Sequence, residues 1–428
     1  MMESKKKEQK ALQNLLYLAS VGARGITADE AMRIDWQALL PLAAEQGLTS
    51  LLTCALLKSP QVECPEELKQ YLADAMRAEA SVNLVRQQRI LHLISELKSA
   101  GIEVKVLKGY AVGRHYAHPE CRGSVDTDLL IDIRQEKKAI RFFEERGFRI
   151  TPRVATSQHA ICQHRKYGMI ELHVAPYAEF IREIWFQGMN VDALIQEEYI
   201  TVKTPDGSYD SLGCTDQLIF ITLHMVKHFV LSGMTVRMML DIALFFAGNR
   251  DQIDSKRFWE TMDRLGYSQL VNCILWAVIQ YGCFQAGDFP GCADEAPEQI
   301  PQLLDDLIEG GYMGVREEEE RYAGGMEYNR QLIMKNRTTA EYWAYMLLLR
   351  IRGGAKGVFP ALGRLKELYP CVKKMPALAP AFWAYHAVSL SIKKLLAGRL
   401  QKSIISSNTT ISAESQKRLE LFRKLKMM

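Results

Sequence analysis

The sequence predicts an α+β fold: a small mixed β-sheet framed by helical regions on its N- and C-terminal sides. Apolar residues recur every three or four positions through residues 10 to 97 and again after Thr215, the spacing of amphipathic helices. Between these regions the period shortens to two, as in IEVKVL (102–107), the mark of half-buried strands. A chain of 428 residues exceeds one ordinary core. The pattern divides it into an N-terminal helical region (1–84), a sheet core (85–210), a C-terminal helical domain (211–402) and a basic, weakly structured tail (403–428).

The elements follow in order. ALQNLLYLAS, DWQALLPLAAEQGL and NLVRQQRILHLISELKSAG read as helices, and Gly101 closes the last as a C-terminal cap. In IEVKVLKG, Ile102, Val104 and Val106 alternate with Glu103 and Lys105, giving the first strand. A short helical piece, YAVGRHYAHP, stops at Pro119, and TDLLIDI is the second strand, with Leu129 to Ile133 in the core. QEKKAIRFFEERG is an amphipathic helix ending at Gly147, followed by FRITPRV. SQHAICQHRKYGMIELHVAP reads as a hairpin around Tyr167-Gly168, with MIELHV as the inner strand beside the second strand. Helices resume with DQLIFITLHMVKHFVLSG, TVRMMLDIALFFAG and SQLVNCILWAVIQYG, and residues 284–326 read as a loop-rich acidic connection. No internal repeat or low-complexity tract occurs.

Composition narrows the class. With 48% apolar and 24% charged residues the chain has the balance of a folded soluble protein. No apolar run reaches the length of a membrane span, and MMESKKKEQK leads into an amphipathic segment rather than a signal-peptide core, so a cytoplasmic protein is expected. The nine cysteines are scattered without a CxxC pair, which suits neither a zinc site nor a disulfide framework. Charge is uneven: residues 346–428 hold 16 Lys/Arg against 3 Asp/Glu, a local +13, which leaves −9 for the rest of a chain that is +4 overall. Such a region suits an anionic surface: a membrane, a nucleic acid or the protein's own acidic part.

The chemistry concentrates in GSVDTDLLID (123–132). Asp126 and Asp128 are two residues apart on a strand, so their carboxylates share a face. Like charges so placed are costly unless a cation lies between them. Mg²⁺ suits, being a hard ion held by one or two carboxylates together with substrate phosphates. Glu171 in MIELHV is placed to be a third acid, which allows a two-metal site. Lys108 and Gly109 stand where a strand meets a helix N-terminus, a suitable cradle for phosphates, and Arg122 can serve the same phosphates. His173 shares the face of Glu171 and can hold that acid or contact a nucleotide. Asp132, of the same parity, sits at the strand's far end and reads as solvated. His224 and His228 are four apart, but Met225 stands where a zinc protease needs Glu; with Lys227 they read as core or pocket wall. Arg237 and Asp241 read as an i,i+4 pair. No Walker loop or nucleophile elbow supports a kinase-like or hydrolase reading.

LKG, a short helix, Arg122, DTDLLID and then ELH resemble a bacterial, largely uncharacterised branch of the nucleotidyltransferases in the DNA polymerase beta superfamily, with its LKG–DxDLLV–(D/E)LH pattern. The resemblance is clear over residues 86–180 and weaker through LHMVKHF and RMMLDIALFF. It implies a mixed-sheet catalytic core and transfer of a nucleoside monophosphate from an NTP, ATP among them, to an acceptor, with release of pyrophosphate and Mg²⁺ as the cofactor. By match to the motif, Asp126 and Asp128 are the metal ligands, Glu171 is the third acid and Gly109 holds the phosphate-loop position. The chain departs from the superfamily in having Lys108-Gly109-Tyr110 for the usual Gly-Ser loop and Glu171 where Asp is commoner. The acceptor is open between small molecule, peptide, protein and RNA end. The alternative expectation is an inactive scaffold of this fold that engages an anionic partner through its basic C-terminal region.

Overall fold

The computed structural model describes residues 2–335 and 412–428, apart from 30, 125, 154–156, 178–184 and 186–193. The N-terminal helices are α1 (Met2–Arg24), α2 (Trp36–Glu45), α3 (Thr49–Lys58) and the long α4 (Glu66–Ser99), with a two-residue bridge between β1 (Met32–Arg33) and β2 (Val62–Glu63). α1 and α3 pack so closely that a Cβ on Gly22 would lie 1.9 Å from the Leu51 carbonyl oxygen. α4 ends as the sequence predicts: Gly101 adopts φ 68°, and Ile102 N–H returns to the Leu97 carbonyl at 2.9 Å.

The sheet holds seven strands: β3 (Val104–Leu107), β4 (Asp126–Ile131), β5 (Arg149–Thr151), β6 (His159–His164), β7 (Gly168–His173), β8 (Ile200–Thr204) and β9 (Gly207–Ser211). Their spatial order is β5-β6-β7-β4-β3-β9-β8. The β4–β7 and β3–β9 pairs are parallel and the others antiparallel, so the sheet is mixed. The short helix α5 (Lys108–Gly113) follows β3, and α6 (Glu136–Glu145) joins β4 to β5. The β8–β9 hairpin was not anticipated, although Asp206-Gly207 between alternating segments is its signal.

Alternation along β4 sorts its side chains. Leu129 and Ile131 enter a core with Ile90, Ile94 and Leu97 of α4 and Phe142 and Phe143 of α6. Leu130 points the other way, into a second core with α7 (Cys214–Leu231) and α8 (Val236–Gly248). Asp126 and Asp128 share the parity of Leu130 and therefore lie on that face. Ile133, expected in the core, is instead 57% exposed. The strand ends at Ile131, and the Asp132 side chain caps the turn that follows by accepting from Arg134 N–H at 2.8 Å. Asp132 also pairs with the Arg134 guanidinium at the surface.

The second core runs continuously through α1–α3, α7, α8, α9 (Ser255–Leu265), α10 (Ser268–Tyr281) and α11 (Ile300–Gly310), so both helical regions share it. The boundary drawn at residue 84 falls inside α4, whose first half serves this core and whose second half covers the sheet. The connection read as loop-rich over 284–326 also carries helix. α11 begins with Pro301 in its first turn and buries Leu303, Leu304, Leu307 and Ile308, an i, i+1, i+4, i+5 stripe. α12 (Glu318–Met334) opens with Glu318, Glu319 and Glu320, acids that suit a helix N-terminus. Part of the tail read as weakly structured forms α13 (Ala413–Lys424). The rest of the basic region, up to residue 411, lies outside the described residues.

α13 is docked by charge. Arg418 Nε and Arg321 Nη1 each donate to Asp306 at 3.0 Å, and all three residues are buried. Arg418 also donates to the Phe229 carbonyl, and Lys417 pairs with Glu309. These two basic residues of the tail thus have partners inside the protein. Removing Asp306 would strand two buried guanidiniums, which costs about 3–5 kcal/mol. Asp306→Ala is expected to lower the unfolding free energy, read from a denaturant titration, by about 3–5 kcal/mol, and a change below about 1 kcal/mol would show that α13 is not held this way.

Candidate active site

Parallel pairing of β4 with β7 sets Asp128 directly beside Glu171, and Asp126 beside Met169. One ligand atom from each of Asp126, Asp128 and Glu171 lies within 4.8 Å of the others. The three carboxylates predicted from the sequence are therefore brought together on one face of the sheet.

Their charge is partly balanced from within. Lys108 Nζ lies 2.6 Å from Asp128 Oδ1 and 3.7 Å from Glu171 Oε2. To reach them Lys108 takes φ 47° at the strand-to-helix junction, a left-handed conformation that costs a residue with a Cβ about 1–2 kcal/mol. His173 Nε2 lies 2.9 Å from Asp128 Oδ1 and 3.3 Å from Glu171 Oε2. Burial alone would lower the Lys108 pKa, but Asp128 and Glu171 outweigh it and hold the ammonium charged. Burial likewise works to raise Asp128, yet Lys108 and His173 win and leave it lowered. Glu171 is also lowered, because the His173 hydrogen bond and Lys108 overcome its burial. Asp126 goes the other way, raised by burial and by the charge of Asp128.

These residues fit a hard divalent cation. All the converging atoms are carboxylate oxygens, and Asp126 carries repulsion that a cation between the acids would relieve.

Two clefts meet at Asp126. One, of about 340 Å³, is lined by Arg86, Tyr110, Arg114, Lys203 and Tyr209. The other, of about 210 Å³, opens over the acids and is walled by His224, Lys227 and His228 of α7 and by Arg237 and Asp241 of α8. Gly109, Arg122, Ser124 and Asp126 border both. Lys227 is lowered by burial and by Lys108, and His228 is pushed down to about 3 by burial, Lys227 and Lys108, so this imidazole is neutral at neutral pH.

Two expected phosphate ligands are otherwise engaged. The Lys108 ammonium faces the acids, as described. The Arg122 guanidinium is gripped by Asp241, with Nε–Oδ1 2.8 Å and Nη2–Oδ2 2.6 Å, and Tyr116 donates to the same carboxylate at 2.6 Å. Asp241 therefore pairs with Arg122 and not with Arg237, which donates to the Gly123 carbonyl at 3.0 Å. Arg122 is held beside Gly109: a Cβ there would lie 2.9 Å from Arg122 Nη1. Glycine is needed at 109 for that approach. Sequence reasoning missed Tyr116, Arg86 and His159. His159 was within reach, since a hairpin turning at 165–167 sets it opposite His173.

Lys108 occupies the space beside Asp128 where a divalent cation would compete with it. Lys108→Met is expected to tighten Mg²⁺ binding, on the order of tenfold, by removing a positive charge next to the ion. Isothermal titration with Mg²⁺ checks this; unchanged or weaker binding would mean that the ion does not use these acids.

Residues 32–281 match the family described as uncharacterised nucleotidyltransferase. No curated protein and no solved structure matches the chain. The matched segment holds β3 to β9 with the whole acidic cluster, and it spans more than half of the sequence. The chain therefore belongs to this family and is a nucleotidyltransferase.

Proposed function

We propose that the protein transfers a nucleoside monophosphate from an NTP to an acceptor bound in the neighbouring cleft, with release of pyrophosphate, in an Mg²⁺-dependent reaction in the cytoplasm. The observation that carries this reading is the cluster of Asp126, Asp128 and Glu171 in the smaller cleft, with Asp126 also bordering the larger one, which gives donor and acceptor separate room. The three acids would hold Mg²⁺, which supplies charge neutralisation and alignment of the triphosphate when bound.

The chain's own residues do the rest. Lys227 and Arg237 place positive charge on the wall of the smaller cleft, opposite the acids, where anionic oxygens develop charge. Lys108 lines the same cleft, paired with Asp128, and would add positive charge beside those oxygens. An acceptor hydroxyl or phosphate oxygen attacks the α-phosphorus in line; the new O–P bond forms as the bond to the pyrophosphate oxygen breaks. Glu171, kept ionised by His173 and Lys108, accepts the proton of an attacking hydroxyl. Arg122, clamped by Asp241, fixes the Gly109 turn between the two clefts.

The direct test is calorimetric titration of the four NTPs, with and without Mg²⁺, into the wild type and an Asp126→Asn/Asp128→Asn double variant. Metal-dependent binding of one NTP, weakened at least 100-fold in the variant, is the expected result. Equal binding by both proteins would remove the acids from the reaction.

A further inference from the structure

We propose that His159, Glu171 and His173 form a second cation site, distinct from the acidic one and selective for a transition metal of the zinc class. The proposal rests on the register of two strands and does not depend on the transferase reading. β6 and β7 pair antiparallel with His159 opposite His173, and Glu171 lies on the same face two residues earlier in β7. Ligand atoms from all three lie within 4.8 Å of one another.

The spacings are those of ligands around one ion. Glu171 Oε2 is 3.3 Å from His173 Nε2 and 3.7 Å from His159 Nδ1. Two ligands each at about 2.1 Å from a tetrahedral zinc stand about 3.4 Å apart. At 3.7 Å His159 Nδ1 is too far to hydrogen-bond to the carboxylate, and this buried nitrogen has no hydrogen-bond partner among the described residues. A buried ring nitrogen aimed at a carboxylate it does not bond is what a shared ion would satisfy. Asp128 Oδ1, 2.9 Å from His173 Nε2, is engaged by Lys108 Nζ at 2.6 Å and stays with the acidic site.

Chemistry separates the two sites. The Asp126–Asp128–Glu171 cluster offers only carboxylate oxygens, which suit Mg²⁺; two imidazoles with one carboxylate suit zinc, cobalt or iron. Glu171 belongs to both and would bridge two unlike ions through its two carboxylate oxygens. His159 and Glu171 keep 19% and 18% of their side chains exposed, so an ion can enter from solvent. As the ion binds, the proton on His173 Nε2 moves to Nδ1 or leaves to solvent.

Cobalt(II) is the probe, because its visible spectrum distinguishes nitrogen and oxygen ligands from thiolate. The full chain, stripped with a chelator, is expected to take up one Co²⁺ with a nitrogen/oxygen spectrum that excess Mg²⁺ does not displace. Zn²⁺ should compete it out. His159→Ala, and His159→Gln as the variant closer in size, should weaken Co²⁺ binding by at least roughly 10- to 100-fold. Thermal unfolding and Mg²⁺ binding of the two variants report whether the fold and the acidic site are intact. An unchanged Co²⁺ affinity in both variants, displacement by Mg²⁺, or a thiolate spectrum alone would overturn the proposal. Failure here leaves the NTP titration untouched, and the reverse also holds.

Discussion

The parallel pairing of β4 with β7 is the constraint on which the rest of the site depends. Hydrogen bonding between these strands places Asp128 against Glu171 whatever their charges prefer. The fold answers this repulsion with specific groups. Lys108 adopts a left-handed backbone to bring its ammonium between the acids, and His173 completes the ring from the end of β7. Asp126, two residues earlier in β4, receives less of this compensation, and burial and the Asp128 charge leave its pKa raised. Three chemically similar carboxylates thereby acquire unlike electrostatic settings, a usual condition for dividing labour in a catalytic centre.

The sheet alone would leave these acids facing water. α7 and α8 supply the opposite wall, and they belong to a core that also contains α1 to α3. The loop entering β4 is tied to that wall by the Arg122–Asp241 fork, reinforced by Tyr116. A bidentate pair at this depth resists both rotation and sliding. The geometry at Gly109 and Asp126 is thus set jointly by the strand register and by helices more than a hundred residues away in the chain.

Much of this was legible in the sequence because it depends on local period. The alternation in IEVKVL, the i,i+2 aspartates and the hairpin read around Tyr167-Gly168, which turns at residues 165–167, each lead to the element found. The expected pairing of β7 beside β4 is also found. What remained hidden was decided by partners distant in sequence. Asp241 sits four residues after Arg237, yet its partner is Arg122, which spacing along one helix cannot reveal. Lys108 stands at the strand-to-helix junction that the sequence indicates, but spacing could not show that its side chain pairs with acids from two strands. The acidic stretch after residue 284 concealed α11, since its clustered Pro and Gly drew attention from the apolar stripe that follows. The buried role of Arg418 was equally unreadable, because a basic residue in a basic region carries no mark of its single internal acid.

The order of strands also governs how the protein is made. β3 and β9 lie side by side inside the sheet, but residues 104–107 are synthesised long before residues 207–211. Until β9 emerges, the nascent β3 keeps a row of unpaired backbone groups along one edge. α1 faces a comparable delay, since it packs against α10 near residue 280. The sheet therefore stays unfinished until residues 207–211 are made, and the face of α1 that meets α10 waits longer still, although α3 covers the rest of that helix early. Such a chain exposes sticky surface during translation. That exposure is a liability of synthesis, one that the stability of the finished fold does not describe.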